Sequence, residues 1–276
     1  MEKIGECVHL SDGDVRYELA GPEKGEKVVL IHGLVGHMHI WDYQFEFLVK
    51  RGYRVLRYDL YGRGFSERVK GEYGTQLFIS QIKDLLEFVR FDSPFHLIGL
   101  SMGGAISTRY ASNHPEMIKS LFLVDCYGIP TPNNLMSRIV QTRGIGEALI
   151  GTLGGPILKR SSIKGVFDKK KHKGFPKWFS APLVINGSKR AILSTLRNFM
   201  LENHVPHYER INQLDIPKMI LWGKEDQVLP FPYGQKIHAL LPNARFEVFE
   251  KCGHVPQFEE PEKFNDLTCS FIQKNS

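Results

Sequence analysis

The chain has 276 residues, 42% of them hydrophobic, a formal net charge of +6 and four cysteines. That length and composition allow one large α/β domain with a sizeable core and argue against disorder. The positive balance is no nucleic-acid signature, because Lys159, Arg160, Lys164, Lys169, Lys170, Lys171 and Lys173 crowd into one short run, which reads as a solvated face or loop. Cys7, Cys126, Cys252 and Cys269 lie far apart and form no C-x-x-C pair, so they read as free thiols of a reducing cytoplasm, with no metal site.

In chain order, Met1 to Leu10 alternates charged and apolar residues and lacks the apolar run of a secretory leader. No stretch is long and apolar enough to predict a membrane span. Lys27 to Ile31 reads as a buried strand, Ile40 to Lys50 as a helix, Tyr53 to Tyr58 as a strand and Leu77 to Arg90 as a helix. Phe95 to Leu100 is the next strand and Gly103 to Asn113 a helix ended by His114-Pro115; Lys119 to Val124 is again a strand. This alternation is the pattern of consecutive βα units around a mostly parallel sheet.

The regularity stops after Asp125. Residues 127–212 carry scattered Gly and Pro, amphipathic stretches such as Ala191 to Leu201 and the basic run, with no convincing strand. They are expected to form a helical cap inserted into a core domain made of residues 1–126 and 213–276. Strands at Lys218 to Trp222 and Arg245 to Phe249, and helices at Tyr233 to Leu241 and Pro261 to Gln273, complete that core.

The sharpest chemical signal is Gly99-Leu100-Ser101-Met102-Gly103-Gly104, between a predicted strand and a predicted helix. A nucleophile on such a turn sits in strained backbone, and the glycines are there because a Cβ would collide with neighbouring elements. An alcohol needs a base to become nucleophilic. Of eleven histidines, His254 lies just past the last strand, at the sheet edge that carries Ser101. An acid must then orient the imidazole. Asp226, in the loop after the Lys218 to Trp222 strand, is the first candidate; its neighbour Glu225 is a possible confusion, and Asp125, at the end of the preceding strand, is the serious rival. The backbone amides of Met102 and Leu34 are the expected oxyanion donors. Gly33, Trp178, Phe179, Val228 and Val255 are the candidates for substrate contact, and Leu135, Met136, Ile139, Phe175 and Leu196 are further possible walls.

The chain resembles the α/β-hydrolase superfamily. The likeness is carried by His32-Gly33, by Asp59 to Ser66, by Gly99 to Gly104, by Gly223 to Pro230, and by Gly253-His254 with Pro256, Glu259 and Pro261. It implies an eight-stranded, mostly parallel sheet, a cap after the sixth strand and no cofactor. The default chemistry is hydrolysis of a small or acyl-chain carboxylic ester through an acyl-enzyme on Ser101; the expected protein is a monomer or homodimer, cytoplasmic as its thiols indicate, with no stable membrane insertion. Relatives that open ring-cleavage products at a carbon–carbon bond often carry Asn before the nucleophile, where this chain has Leu100. Cofactor-free perhydrolase or haloperoxidase chemistry and a ligand-binding protein on the same fold are the other readings.

Overall fold

The computed structural model describes residues 5–129 and 140–275, with the side chains of 152, 153 and 155–162 left aside. One eight-stranded sheet organises the molecule, in the order β1-β2-β4-β3-β5-β6-β7-β8. β1 (Glu6–Leu10) and β2 (Gly13–Ala20) form an antiparallel hairpin, and β2 joins β4 (Arg54–Tyr58) antiparallel. All remaining neighbours are parallel: β3 (Lys27–Ile31), β5 (Phe95–Leu100), β6 (Ile118–Val124), β7 (Lys218–Gly223) and β8 (Arg245–Phe249).

The central strands are apolar on both faces because helices cover both. On β3, Val29 and Ile31 enter one core, with Phe78 and Ile82 of α2 (Thr75–Phe88) and Ala105 and Ile106 of α3 (Met102–Asn113). Val28 and Leu30 enter the other, with Leu48 of α1 (Asp42–Lys50) and Phe264 and Ile272 of the C-terminal helix Pro261–Gln273. The stretch expected as one helix from Ile40 is split, a 3₁₀ turn Met38–Trp41 leading into α1.

Between β6 and β7 the described residues are helical, without a strand: α4 (Ile145–Lys164), α5 (Phe175–Phe179), α6 (Ser188–Asn198) and α7 (Val205–Asn212). α4 packs on α5 and α6, whereas α7 packs on α3 and on α8 (Phe231–Leu240) of the sheet's own helical layer. Tyr208 of α7 donates its hydroxyl to the Tyr127 carbonyl at 2.6 Å, which closes the segment back onto the end of β6. The lysines of the basic run whose side chains are described, Lys164, Lys169, Lys170, Lys171 and Lys173, are exposed. Two helices, α9 (Pro256–Glu259) and α10 (Pro261–Gln273), finish the chain. No helix among the described residues is long and apolar enough to cross a membrane.

Because β5 to β8 are parallel neighbours, their carboxyl ends share one edge of the sheet. Loops from four strands therefore meet in one place.

Candidate active site

Ser101 is the residue between β5 and α3, with φ 54° and ψ −120°, a left-handed backbone that costs a non-glycine residue about 1–3 kcal/mol. Several hydrogen bonds hold this turn. The Ser101 amide donates to the Val124 carbonyl at 2.9 Å, and its own carbonyl accepts from Gly104 and Tyr127 at 2.9 and 3.0 Å. A Cβ on Gly103 would lie 2.4 Å from the Ile31 carbonyl oxygen, so only glycine lets α3 approach β3 this closely.

His254 follows β8. Its amide donates to the Gly165 carbonyl at 2.8 Å, tying the loop to the far end of α4, and its Nδ1 donates to Asp226 Oδ2 at 2.7 Å. That bond leaves Nε2 as the free lone pair, the tautomer required of a general base. Asp226 Oδ1 accepts the amides of Val228 and Leu229 at 2.6 and 2.9 Å, so the carboxylate is fixed by its own turn. Glu225 points elsewhere: its Oε2 accepts the Cys252 amide at 2.9 Å. Asp125, the rival acid, sits in the same corner. One ligating atom from each of Asp125, Asp226 and His254 lies within 4.8 Å of the others, and all three residues are buried. Burial first, and then the Asp226 charge, push the Asp125 carboxyl well above the usual carboxylate range.

Ser101 and His254 line one cavity of about 120 Å³. Among the described residues they make no hydrogen bond to each other, and catalytic hydrogen bonds of this kind often tighten only in the substrate complex. Gly33, Leu34 and Val35 come to this cavity from the loop after β3, Leu100 from β5, Tyr127 from the end of β6, and Val228, Leu229 and Val255 from the last two loops. Gly165, Phe175, Phe179 and Met200 come from the segment between β6 and β7. The Leu34 and Met102 amides donate no hydrogen bond among the described residues, which leaves both N–H groups available beside Ser101.

Of the expected substrate contacts, Gly33, Phe179, Val228 and Val255 reach the cavity and Trp178 does not. Its ring stacks on Phe258 with centroids 5.8 Å apart and meets His37 edge-on at 4.9 Å. Leu196 packs instead on the small cluster of Val140, Ile150 and Leu193. Leu135, Met136 and Ile139 lie outside the described residues.

The sequence reading did not single out Arg63 or assign Glu259 a role. Arg63 is buried, with Nε donating to the Leu34 carbonyl at 3.0 Å, one amino group to Tyr61 O at 3.0 Å and the other to Thr195 Oγ1 of α6 at 2.7 Å. No carboxylate meets it among the described residues, and burial lowers its pKa to about 9. It braces the carbonyl of Leu34 and hence the direction of that loop. The clue was present, an arginine set between two glycines after β4. His32 supports the same loop, with Nδ1 donating to Gly33 O at 2.8 Å and Nε2 accepting the Leu60 amide at 3.0 Å; burial lowers its pKa to about 3, so the ring is neutral. Glu259 accepts the Gly253 amide at 2.8 Å and the Phe167 amide at 2.7 Å, linking the His254 loop to the residues that follow α4.

Known proteins share this arrangement of sheet and loops. Residues 28–267 match the model of the alpha/beta hydrolase family, and the chain belongs to that family. It is 29% identical over 262 residues to Lipase 1 of Psychrobacter immobilis, covering 91% of this chain and 78% of that one. It is 28% identical over 266 residues to a 2-hydroxy-6-oxononadienedioate/2-hydroxy-6-oxononatrienedioate hydrolase of Paraburkholderia phymatum, covering 94% and 90%. A thermophilic esterase from Thermogutta terrifontis superposes with a TM-score of 0.84 at 20% identity, over 98% of this chain and 99% of that one, a likeness of fold.

Proposed function

We propose that the chain is a serine hydrolase that cleaves carboxylic esters carrying a small, uncharged acyl group. The observation that carries this reading is Ser101 on a strained strand-to-helix turn, sharing one cavity with an imidazole whose Nδ1 is held by Asp226. On this reading His254 Nε2 takes the Ser101 proton as Oγ attacks the ester carbonyl. The Leu34 and Met102 amides receive the developing oxyanion, and the alcohol leaves with a proton from His254. Water activated by the same imidazole then releases the acid from the acyl-enzyme. Residues 127–212 act as the cap that shapes the acyl site.

The size of the acyl group follows from the cavity. At about 120 Å³ it is slightly smaller than an apolar cavity of about 150 Å³ that holds one benzene ring. A group of a few carbons fits without the cap moving. Charge follows from the walls, since no Lys or Arg lines the cavity among the described residues. A dioate like the one in the Paraburkholderia enzyme's name would bring carboxylates into apolar surroundings with no Lys or Arg among the described lining residues to meet them. Ester hydrolysis is therefore favoured over carbon–carbon cleavage.

The test is a p-nitrophenyl ester series from acetate to palmitate. The reading expects kcat/KM to peak at short chains, by at least about tenfold over palmitate, the factor that 1.36 kcal/mol of barrier gives. A maximum at long chains would remove the small-acyl assignment, and no turnover across the series would remove the esterase reading.

A further inference from the structure

Behind the His254–Asp226 pair lies a carboxyl that the reaction as described does not use. Asp125 is the first residue past β6, and its side chain is turned toward β7, where Oδ1 accepts the Gly223 amide at 2.9 Å. Its own amide donates to Leu221 O at 3.0 Å, and its backbone is left-handed, with φ 39°. Oδ2 is buried and meets no donor among the described residues. The groups beside this carboxyl are the acid–base pair, since Asp125, Asp226 and His254 offer polar atoms within 4.8 Å of one another.

Two buried carboxyls this close cannot both be ionised, because like charges in a dry environment repel strongly. The donors decide which one keeps the proton. Asp226 accepts three, the amides of Val228 and Leu229 on Oδ1 and the imidazole Nδ1–H on Oδ2, so both of its oxygens already serve as acceptors. Asp125 accepts one, which leaves Oδ2 as the natural seat of a proton. We propose that Asp125 is a positioning residue: un-ionised in the resting enzyme, it donates Oδ2–H to the Asp226 carboxylate and holds that carboxylate against His254 Nδ1. The electrostatic setting agrees. The groups that face Asp125 are Asp226, Glu259, His254 and the thiols of Cys126 and Cys252, and none is a permanent cation, while Glu225 is turned away to the Cys252 amide.

This inference rests on the serine-hydrolase reading for its kinetic consequence but not for the proton itself, so two measurements separate them. Asp125→Asn preserves a neutral donor toward Asp226 and an acceptor for Gly223, whereas Asp125→Ala removes both. With a short-chain p-nitrophenyl ester, Asp125→Asn is expected to keep kcat within about threefold and to leave the acid limb of the kcat/KM profile in place. Asp125→Ala is expected to lose about 10- to 100-fold in kcat with little change in KM, and to move that limb to higher pH, because Asp226 then faces the imidazolium without a donor tempering its charge. Equal damage in both variants would mean that an ionised Asp125 is needed, and no change in Asp125→Ala would mean that it positions nothing; either result overturns the proposal. The second measurement needs no turnover. The infrared difference spectrum of the unaltered chain minus Asp125→Asn at neutral pH should contain the carbonyl stretch of an un-ionised carboxylic acid, and a carboxylate band in its place would overturn the proposal even if the chain hydrolyses no ester.

Discussion

The floor and the roof of the cavity are held by different kinds of contact. On the floor, each polar group that matters is fixed by short bonds to backbone: Ser101 to Val124, Asp226 to Val228 and Leu229, Asp125 to Gly223, and Arg63 to Leu34. On the roof, α5 is held by rings, with Phe175 tilted against Phe258 at 4.7 Å and Trp178 stacked on the same ring at 5.8 Å. Val184, in the 3₁₀ turn that follows α5, is 88% exposed. Directional bonds tolerate little displacement, while packed rings can slide or be replaced by others of similar volume. On the proposed reading, the chemistry is thus built where geometry is strict, and substrate choice where it is loose.

Changing the floor should therefore destroy rate, and changing the roof should redirect it. The largest effect is expected for Asp226→Asn, which keeps the shape but presents the wrong partner to Nδ1; kcat should fall by about 10⁴-fold with the fold intact by circular dichroism. A fall of less than about tenfold would transfer the orienting role to Asp125. Phe179→Ala should act on the roof, since its ring lines the cavity and lies over Gly36. The expected result is a cost of about 1–2 kcal/mol in stability, below the range for a fully buried Phe, together with a shift of the ester optimum toward longer chains. An unchanged chain-length profile would take Phe179 out of the acyl site.

The smallest effect concerns the joint between the two regions. Burial raises the Glu259 carboxyl from its ordinary value to about 7, against the amides of Phe167 and Gly253 that favour its anion. Since the folded state holds this proton more tightly than the unfolded chain, the stabilisation is fully present below the unfolded pKa and is lost as pH rises through about 7. Melting temperature should accordingly decline between about pH 5 and about pH 8, and the decline should be shallower in Glu259→Gln. Identical slopes would mean that Glu259 does not contribute to that dependence.

The same division governs how much could be read from the residues. The central parallel strands were legible because strands covered on both faces must be continuous apolar runs, as in Lys-Val-Val-Leu-Ile of β3, whereas the edge strand β8, Arg-Phe-Glu-Val-Phe, alternates polar with apolar residues and is only partly buried. The β1–β2 hairpin was not resolved from the residues, although the alternation in Glu6–Leu10 matches its one-sided burial; that alternation served only to argue against a leader. Ser101 and His254 could be located because strand ends at one sheet edge fix where loops converge. Asp125 and Asp226 were weighed as rivals, since each follows a strand, and only the side-by-side placement of β6 and β7 shows that they occupy one corner. In α5, Phe175 and Phe179 are four residues apart and share the cavity face, while Trp178 turns to Phe258 and His37. Phe175 also meets Phe258 and Phe179 also meets His37, partners far away along the chain, so no local pattern announces which of the three rings reaches the cavity.

An activated Ser101 is the central claim, and intact-mass labelling with a fluorophosphonate tests it most directly. One adduct is expected on the unaltered chain and none on Ser101→Ala or His254→Ala. An unaltered chain that stays unlabelled, or an adduct that persists in Ser101→Ala, would contradict it.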